Sequence, residues 1–342
     1  MRYFDSDYMA GAHSDVLEQL VATNMELSVG YGNDEYSACA KAMIREACGA
    51  PDAEVMFLVG GTQTNATVID GLLALHEGVL AAESGHIAVH ESGAIEASGH
   101  KVLTLPHSSG KVCAEDVDSY IRKFYADDTY GHMVAPGMLY ISQPTEYGTI
   151  YSLAELEALS STCHRHHIPL YIDGARMAYG LRAEGADFTL VDIARLADVF
   201  YIGGTKCGTL FGEALVVVNR SLLRNLFPLV KQHGALLAKG RLLGVQFGAL
   251  FSDGLYGRIG EHAVRLALRI REAMRSAGYS VVIESPTNQQ FFLLPNDVID
   301  RLHLNVSFDY WGPRGDSESI VRFVTSWATT DDDVDTLIGL LG

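Results

Sequence analysis

The sequence predicts an α/β fold: a large domain on a doubly wound, mostly parallel sheet, followed by a smaller C-terminal α+β domain. Three observations carry that expectation. Short apolar runs alternate with segments of helical spacing from about residue 54 to 218, as strands do when helices cover both sheet faces. Beyond about 220 the texture changes to long helical patterns and then short strands. With 342 residues, 34 glycines and 48% hydrophobic residues, the chain can fill a large core and a second domain.

Residues 1–30 read as an irregular arm and then a helix, with Val16, Leu17, Leu20 and Val21 on one face. Tyr31-Gly-Asn-Asp-Glu-Tyr has turn chemistry and leads to a helix over about 36–48, which Pro51-Asp52 ends. The run Glu54-Val-Met-Phe-Leu-Val59 has the length and composition of a buried parallel strand. Further strands are expected at Ile87–His90, Lys101–Leu105, Met138–Ser142, Pro169–Asp173, Val199–Ile202 and Ala214–Val218. Helices are expected near 63–76, 114–125, 152–166 and 189–197. Helical patterns over about 220–276 precede strands near 280–284, 289–294, 304–309 and 319–325, and a helix from Asp331 to Leu341 closes the chain. The expected division is an arm and helix over 1–30, a large domain over 31–240 and a small domain over 241–342.

A formal charge of −17 argues against nucleic acid or an anionic membrane as partner. The first residues have no apolar secretory core, and no apolar segment approaches the ~18 residues of a membrane span. Five scattered cysteines, at 39, 48, 113, 163 and 207, suit reduced thiols in the cytoplasm.

In a doubly wound sheet, ligands bind beyond the C-terminal ends of the strands. Four such ends carry polar chemistry. Val199-Phe-Tyr-Ile-Gly-Gly-Thr-Lys206 ends an apolar run in a glycine turn bearing one lysine, where a partly desolvated amine can form a Schiff base with an aldehyde. Gly60-Gly-Thr-Gln-Thr-Asn65 runs from a strand into a helix, whose outward N–H groups and dipole suit a single phosphate. Asp173 follows the buried Pro169-Leu-Tyr-Ile and either pairs with Arg176 or holds a ring nitrogen protonated. Gln143-Pro-Thr-Glu-Tyr-Gly148 brings Glu146 and a phenol to another tip, and His86 precedes an apolar run where its ring can stack on an aromatic ligand. Cys163-His-Arg-His-His167 is read as side chains favoured at a helix C-terminus, not as a metal set. Together the lysine, the carboxylate and the phosphate nest match three points of one cofactor, pyridoxal 5′-phosphate.

Longer stretches extend the match. They are Asp5-Ser-Asp7, Tyr31-Gly-Asn-Asp34, Phe57-Leu-Val-Gly-Gly-Thr-Gln-Thr-Asn65, His86 with His90-Glu-Ser-Gly93, and Ile172-Asp-Gly-Ala-Arg176. Thr205-Lys-Cys-Gly208, Thr287-Asn288 and Val321-Arg-Phe-Val-Thr325 continue them. In these motifs the chain resembles the low-specificity L-threonine aldolases, in the threonine aldolase and beta-eliminating lyase group of fold type I pyridoxal-phosphate enzymes. The resemblance implies that fold, with its seven-stranded sheet, and cleavage of threonine, allo-threonine or a related β-hydroxy-α-amino acid to glycine and an aldehyde.

By position, the resemblance implies that Lys206 holds the cofactor covalently, Asp173 pairs with its pyridine nitrogen and His86 stacks on its ring. Gly61, Thr62 and Arg241 would hold the phosphate. Ser6, Arg176 and Arg322 would grip the substrate carboxylate, with Arg176 also beside the cofactor. It further implies a homodimer or homotetramer with sites at the dimer interface, so that Tyr31 and Arg241 serve the neighbouring subunit. One residue departs from the family pattern: Glu146 stands where a histidine is common near the substrate hydroxyl. A carboxylate is a weak base for an alcohol unless burial raises its pKa. Elimination or amino-group exchange on the same scaffold, or a silent cofactor-holding protein, are the alternatives to aldol cleavage.

Overall fold

The structure, a computed structural model, describes residues 1–341. The large sheet has seven strands: Glu54–Leu58 (β1), Glu77–Ala82 (β2), Val102–Leu105 (β3), Ala135–Ser142 (β4), Leu170–Asp173 (β5), Val199–Gly203 (β6) and Glu213–Val217 (β7). Their order across the sheet is β1-β7-β6-β5-β4-β2-β3. All neighbours are parallel except β7, which runs antiparallel to both β1 and β6.

The period-2 alternation of a strand divides these residues between two cores. Leu139, Ile141, Leu170, Ile172, Phe200 and Ile202 enter one apolar cluster. Met138, Tyr140, Tyr171, Val199 and Tyr201 enter the other, across the sheet. Every residue of β5, β6 and β7 is buried, as strands covered on both faces must be.

Most expected elements are present within a few residues of their predicted ends, with helices at Glu35–Ala47, Gly61–Leu72, Ala114–Ala126, Leu153–Arg165 and Leu190–Leu196. The strand expected at Ile87–His90 is not there. His86–Val89 is a short helix, entered through Gly85, and Glu146 Oε1 accepts the His86 backbone N–H at 2.9 Å. The missing strand is β2, whose Gly78 lies so close to its neighbour that a Cβ would meet the Lys101 carbonyl oxygen at 2.5 Å. Only glycine fits there, and it interrupts the apolar run that would have marked the strand. In the helix Ser14–Ala22, Val16 is buried, but Leu17 and Val21 face solvent in the single chain.

The smaller sheet is antiparallel. Its strands are Ser280–Ile283 (β8), Gln289–Pro295 (β9), Asp309–Tyr310 (β10) and Glu318–Val324 (β11), in the order β10-β11-β9-β8. Val306–Ser307 instead pairs in parallel with Arg2–Tyr3, so the arm is tied to the C-terminal part, and Phe4 enters its core. Helix Leu255–Ser276 spans both cores. Its Tyr256, Ile259 and Val264 pack with the large sheet, and its Leu266, Ile270 and Met274 with the small one. Helix Arg241–Phe251 also packs on the large core through Phe247 and Leu250. No helix among the described residues is long and apolar enough to cross a membrane.

Candidate active site

The C-terminal ends of β1, β4, β5 and β6 open into a cavity of about 210 Å³, lined by Gly61, Thr62, Asn65, Asp173, Lys206 and Glu213 among others. A wider cavity of about 730 Å³ adjoins it and shares Tyr8, His86, Glu146, Arg176 and Lys206. Arg322, Gln289 and Trp311 line the wider part. Lys206 stands where the two meet.

Lys206 sits in the turn after β6 and is half-buried. Among the described residues no carboxylate lies within ion-pair distance of its amine. Burial and the Arg176 charge hold its pKa below the usual lysine range, against the pull of Asp7, Asp173 and Glu213. A half-buried amine that loses its proton readily is a nucleophile.

Asp173 is 4% exposed and ends β5. Its Oδ2 accepts from the Tyr140 hydroxyl at 2.7 Å and from Asn65 Nδ2 at 3.1 Å, and its Oδ1 accepts from the Ala175 N–H at 3.0 Å. Arg176 does not pair with it. Instead Arg176 Nε and Nη2 donate to the two oxygens of Asp7 at 2.7 and 3.1 Å. Burial pushes the Asp7 carboxyl up, but Arg176 and Lys206 together hold it below its ordinary value.

Helix Gly61–Leu72 begins at the cavity, and its N-cap, Gly60, makes no side-chain capping bond. Its first N–H groups are therefore available to an anion. A Cβ on Gly61 would lie 3.0 Å from the Tyr201 hydroxyl.

His86 Nδ1 bonds Glu91 Oε1 at 2.8 Å, and Asn65 Nδ2 donates to the same oxygen at 2.8 Å. Glu146 Oε1 accepts from Ser142 Oγ at 2.7 Å as well as from the His86 N–H, while its Oε2 is buried without a partner. Burial raises the Glu146 pKa, with the Ser142 hydroxyl opposing.

Arg322 donates to Asp309 Oδ2 at 2.7 Å and Gln289 Oε1 at 3.2 Å, and its Nε is buried without a partner. Ser6 lies in the arm between Asp5 and Asp7, and its hydroxyl has no hydrogen-bond partner among the described residues. Two expected residues lie elsewhere in the single chain. The Arg241 guanidinium donates to the Glu26 carbonyl at 2.6 Å and to that of Thr23, beside the Tyr36 ring. Tyr31 lines a separate cavity of about 160 Å³, with Lys231 Nζ 4.5 Å from its ring centre.

Asp7, Glu91 and Glu213 belong to the site but were not singled out in the sequence as acting residues. Glu213 had a signal: a carboxylate opening an otherwise apolar strand. Asp7 and Glu91 fall within the matching stretches Asp5-Ser-Asp7 and His90-Glu-Ser-Gly93, but their pairing with Arg176 and Asn65, far along the chain, had no signal.

The sequence profile of the beta-eliminating lyase family matches residues 4–294, and the chain belongs to that family. Among its relatives, a solved structure of Leishmania major threonine aldolase is 41% identical and spans 100% of this chain and 98% of that one, with a TM-score of 0.96. The low specificity L-threonine aldolase of Pseudomonas aeruginosa is 28% identical over 331 residues, covering 95% of this chain and 93% of that protein. Aspartate aminotransferase of Thermus thermophilus shares the fold at 14% identity, over 99% of this chain and 90% of that one, with a TM-score of 0.71. The architecture is thus that of the fold type I pyridoxal-phosphate enzymes.

Proposed function

We propose that this chain is a pyridoxal-phosphate-dependent aldehyde lyase that cleaves L-threonine, L-allo-threonine or a related β-hydroxy-α-amino acid to glycine and an aldehyde. One observation supports it most. Lys206, Asp173 and the uncapped helix start at Gly61 and Thr62 line a single cavity, below two arginines. The residues present fit the cofactor: a free amine for its aldehyde, a buried carboxylate for its ring nitrogen and free N–H groups for its phosphate. Lys206, Asp173, Gly61, Thr62 and His86 would hold it. Bound there, pyridoxal phosphate supplies an electron sink for the carbanion left when Cα–Cβ breaks.

The chain's own residues do the rest. Tyr140, Asn65 and the Ala175 N–H all donate to Asp173 and hold its carboxylate in place. A fixed negative charge at that point favours a protonated ring partner without reorganisation. Arg322 and Arg176 line the wider cavity and present guanidinium groups to a substrate carboxylate. Asp7 fixes the plane of Arg176 through two hydrogen bonds. Glu146, raised in pKa by burial and carrying an unpartnered Oε2, is suited to take the proton from the substrate hydroxyl.

Exposed Leu17, Val21, Met25, Leu27 and Val29 favour an assembly of two or four copies, in which Tyr31 and Arg241 serve the neighbouring site. Five free cysteines and no membrane-crossing helix among the described residues favour the cytoplasm. The test is a product assay on a panel of β-hydroxy-α-amino acids. The reading expects glycine and the matching aldehyde. Holo-protein that yields the corresponding 2-oxo acid and ammonia instead would assign elimination, and holo-protein that yields nothing would refute an enzymatic role.

A further inference from the structure

Two buried hydroxyls connect the carboxylates of Asp173 and Glu146. Tyr140 and Ser142 are two residues apart in β4, so both side chains leave the same face of the sheet. They are 1% and 8% exposed. The Tyr140 hydroxyl donates to Asp173 Oδ2 at 2.7 Å, and Ser142 Oγ donates to Glu146 Oε1 at 2.7 Å. The two hydroxyl oxygens lie 3.2 Å apart. Asp173, Tyr140, Ser142 and Glu146 thus form one chain of oxygens with a carboxylate at each end. A buried hydroxyl is costly unless bonded, and apolar side chains would fill this face as Met138 does.

The chain has three links, but its two hydroxyls supply only two hydrogens. With both carboxylates charged, each hydroxyl aims outward, because a bond to a charged oxygen is the stronger. The middle link then holds no hydrogen. It is the longest of the three, beyond the roughly 2.7–2.8 Å at which O–H···O bonds cluster. Once Glu146 is neutral, its hold on the Ser142 hydrogen weakens, while the Tyr140 oxygen still has a lone pair to offer. The His86 N–H stays on Glu146 Oε1 at 2.9 Å, so that oxygen keeps a donor. His86 and Glu91 face the chain from the 86–91 segment, Tyr147 and Tyr151 from the loop after β4, and Arg176 and Lys206 from across the cavity. Tyr171 and Tyr201 flank the Asp173 end. Among the described residues none of these groups bonds to either hydroxyl.

We propose that Tyr140 and Ser142 are positioning residues that act through Glu146 and Asp173: Ser142 turns its hydrogen from Glu146 to Tyr140 when Glu146 takes up a proton. The charge on the base and the hydrogen bond on Asp173 then change together, since a hydroxyl that accepts as well as donates is a stronger donor. Each hydroxyl keeps its own hydrogen and only its direction changes. The one proton transferred is the substrate's: its O–H bond breaks, the electron pair stays on the substrate oxygen, and an O–H bond forms on Glu146. Burial raises the Glu146 pKa, the Ser142 hydroxyl opposes that and the Asp173 charge adds to it, as carboxylates joined in this way require. The inference rests on Glu146 taking the hydroxyl proton, but its test requires neither cofactor nor turnover, so the two can fail separately.

Full-length cofactor-free protein is prepared with 13C-carboxyl glutamate and studied by infrared spectroscopy over a pH series. The acid carbonyl band of Glu146, assigned by its loss in Glu146→Gln, gives the midpoint of proton uptake. Tyr140→Phe leaves the Ser142 bond to charged Glu146 in place but removes the alternative acceptor. Proton uptake should become harder, and the midpoint should fall by roughly 0.5–1 pH unit. In a Ser142→Ala background the same substitution should shift nothing further, because the relay is already cut. A Tyr140→Phe midpoint equal to or above wild type, or a fall that persists in the Ser142→Ala background, overturns the proposal.

If a Tyr140 or Ser142 variant does not fold, the wild-type chain with isotope-labelled tyrosine carries the test. The phenol C–O stretch differs between a hydroxyl that only donates and one that also accepts. One tyrosine band should move in step with Glu146 protonation in the wild type and stay fixed in Glu146→Gln. Absence of such a band overturns the proposal equally.

Discussion

Asp7→Asn is the substitution whose effect the structure specifies most fully. The wild-type carboxylate is buried, holds Arg176 through two hydrogen bonds and accepts a third from Asn288 Nδ2 at 2.9 Å. Asparagine keeps the shape but turns one acceptor into a donor aimed at a guanidinium and removes the counter-charge. Breaking one side of a buried pair costs about 3–5 kcal/mol. Over 342 residues the unfolding entropy is roughly 0.7 kcal/mol/K, so the melting temperature should fall by about 4–7 °C. Because Asp7 is held below its ordinary pKa, its contribution is complete above the unfolded value near ~3.9 and is lost as pH falls through the folded one. The deficit should therefore be full at neutral pH and shrink in acid. Thermal melts by circular dichroism at both pH values check this, and KM should rise as Arg176 loses its fixed plane. A melting temperature equal to wild type at neutral pH, or a deficit that grows in acid, would refute the reasoning.

Two further substitutions probe the cleft. Glu146→Gln should lower kcat by roughly 10²–10⁴-fold if Glu146 takes the hydroxyl proton. Its raised pKa also places the acid limb of the wild-type pH–rate profile above the ordinary carboxylate range, and that limb should vanish in the variant. Gly61→Ala puts a Cβ 3.0 Å from the Tyr201 hydroxyl at the start of the phosphate nest. Affinity for pyridoxal phosphate, measured by absorbance titration, should weaken while the melting temperature of the cofactor-free protein changes little.

The central strands were legible because β5, β6 and β7 are buried on both faces and so consist of short unbroken apolar runs. β2 was not, since its short apolar run is broken by Gly78, which sits where a Cβ would meet the Lys101 carbonyl. Ile87–Val89 was misread for the opposite reason: its β-branched residues sit in a helical turn whose first N–H is accepted by Glu146, a long-range contact. Within the site, Lys206, Asp173 and Gly61 announced themselves as polar or flexible residues at apolar strand ends. Arg176 was legible as a residue but not in its pairing, because Asp7 reaches it from an arm that the sequence reads only as irregular. Arg241 makes its bonds to the segment around Thr23 and Glu26, a tertiary contact that its position at a helix start does not reveal.

The central claim is that Lys206 carries the cofactor. Borohydride reduction of the holo-protein fixes the carbon–nitrogen bond, and peptide mass spectrometry then locates the added mass. The account predicts the cofactor on the peptide containing Lys206, and neither adduct nor yellow absorbance in Lys206→Ala. An adduct on another lysine, or a Lys206→Ala variant that still binds covalently and releases glycine, would contradict it.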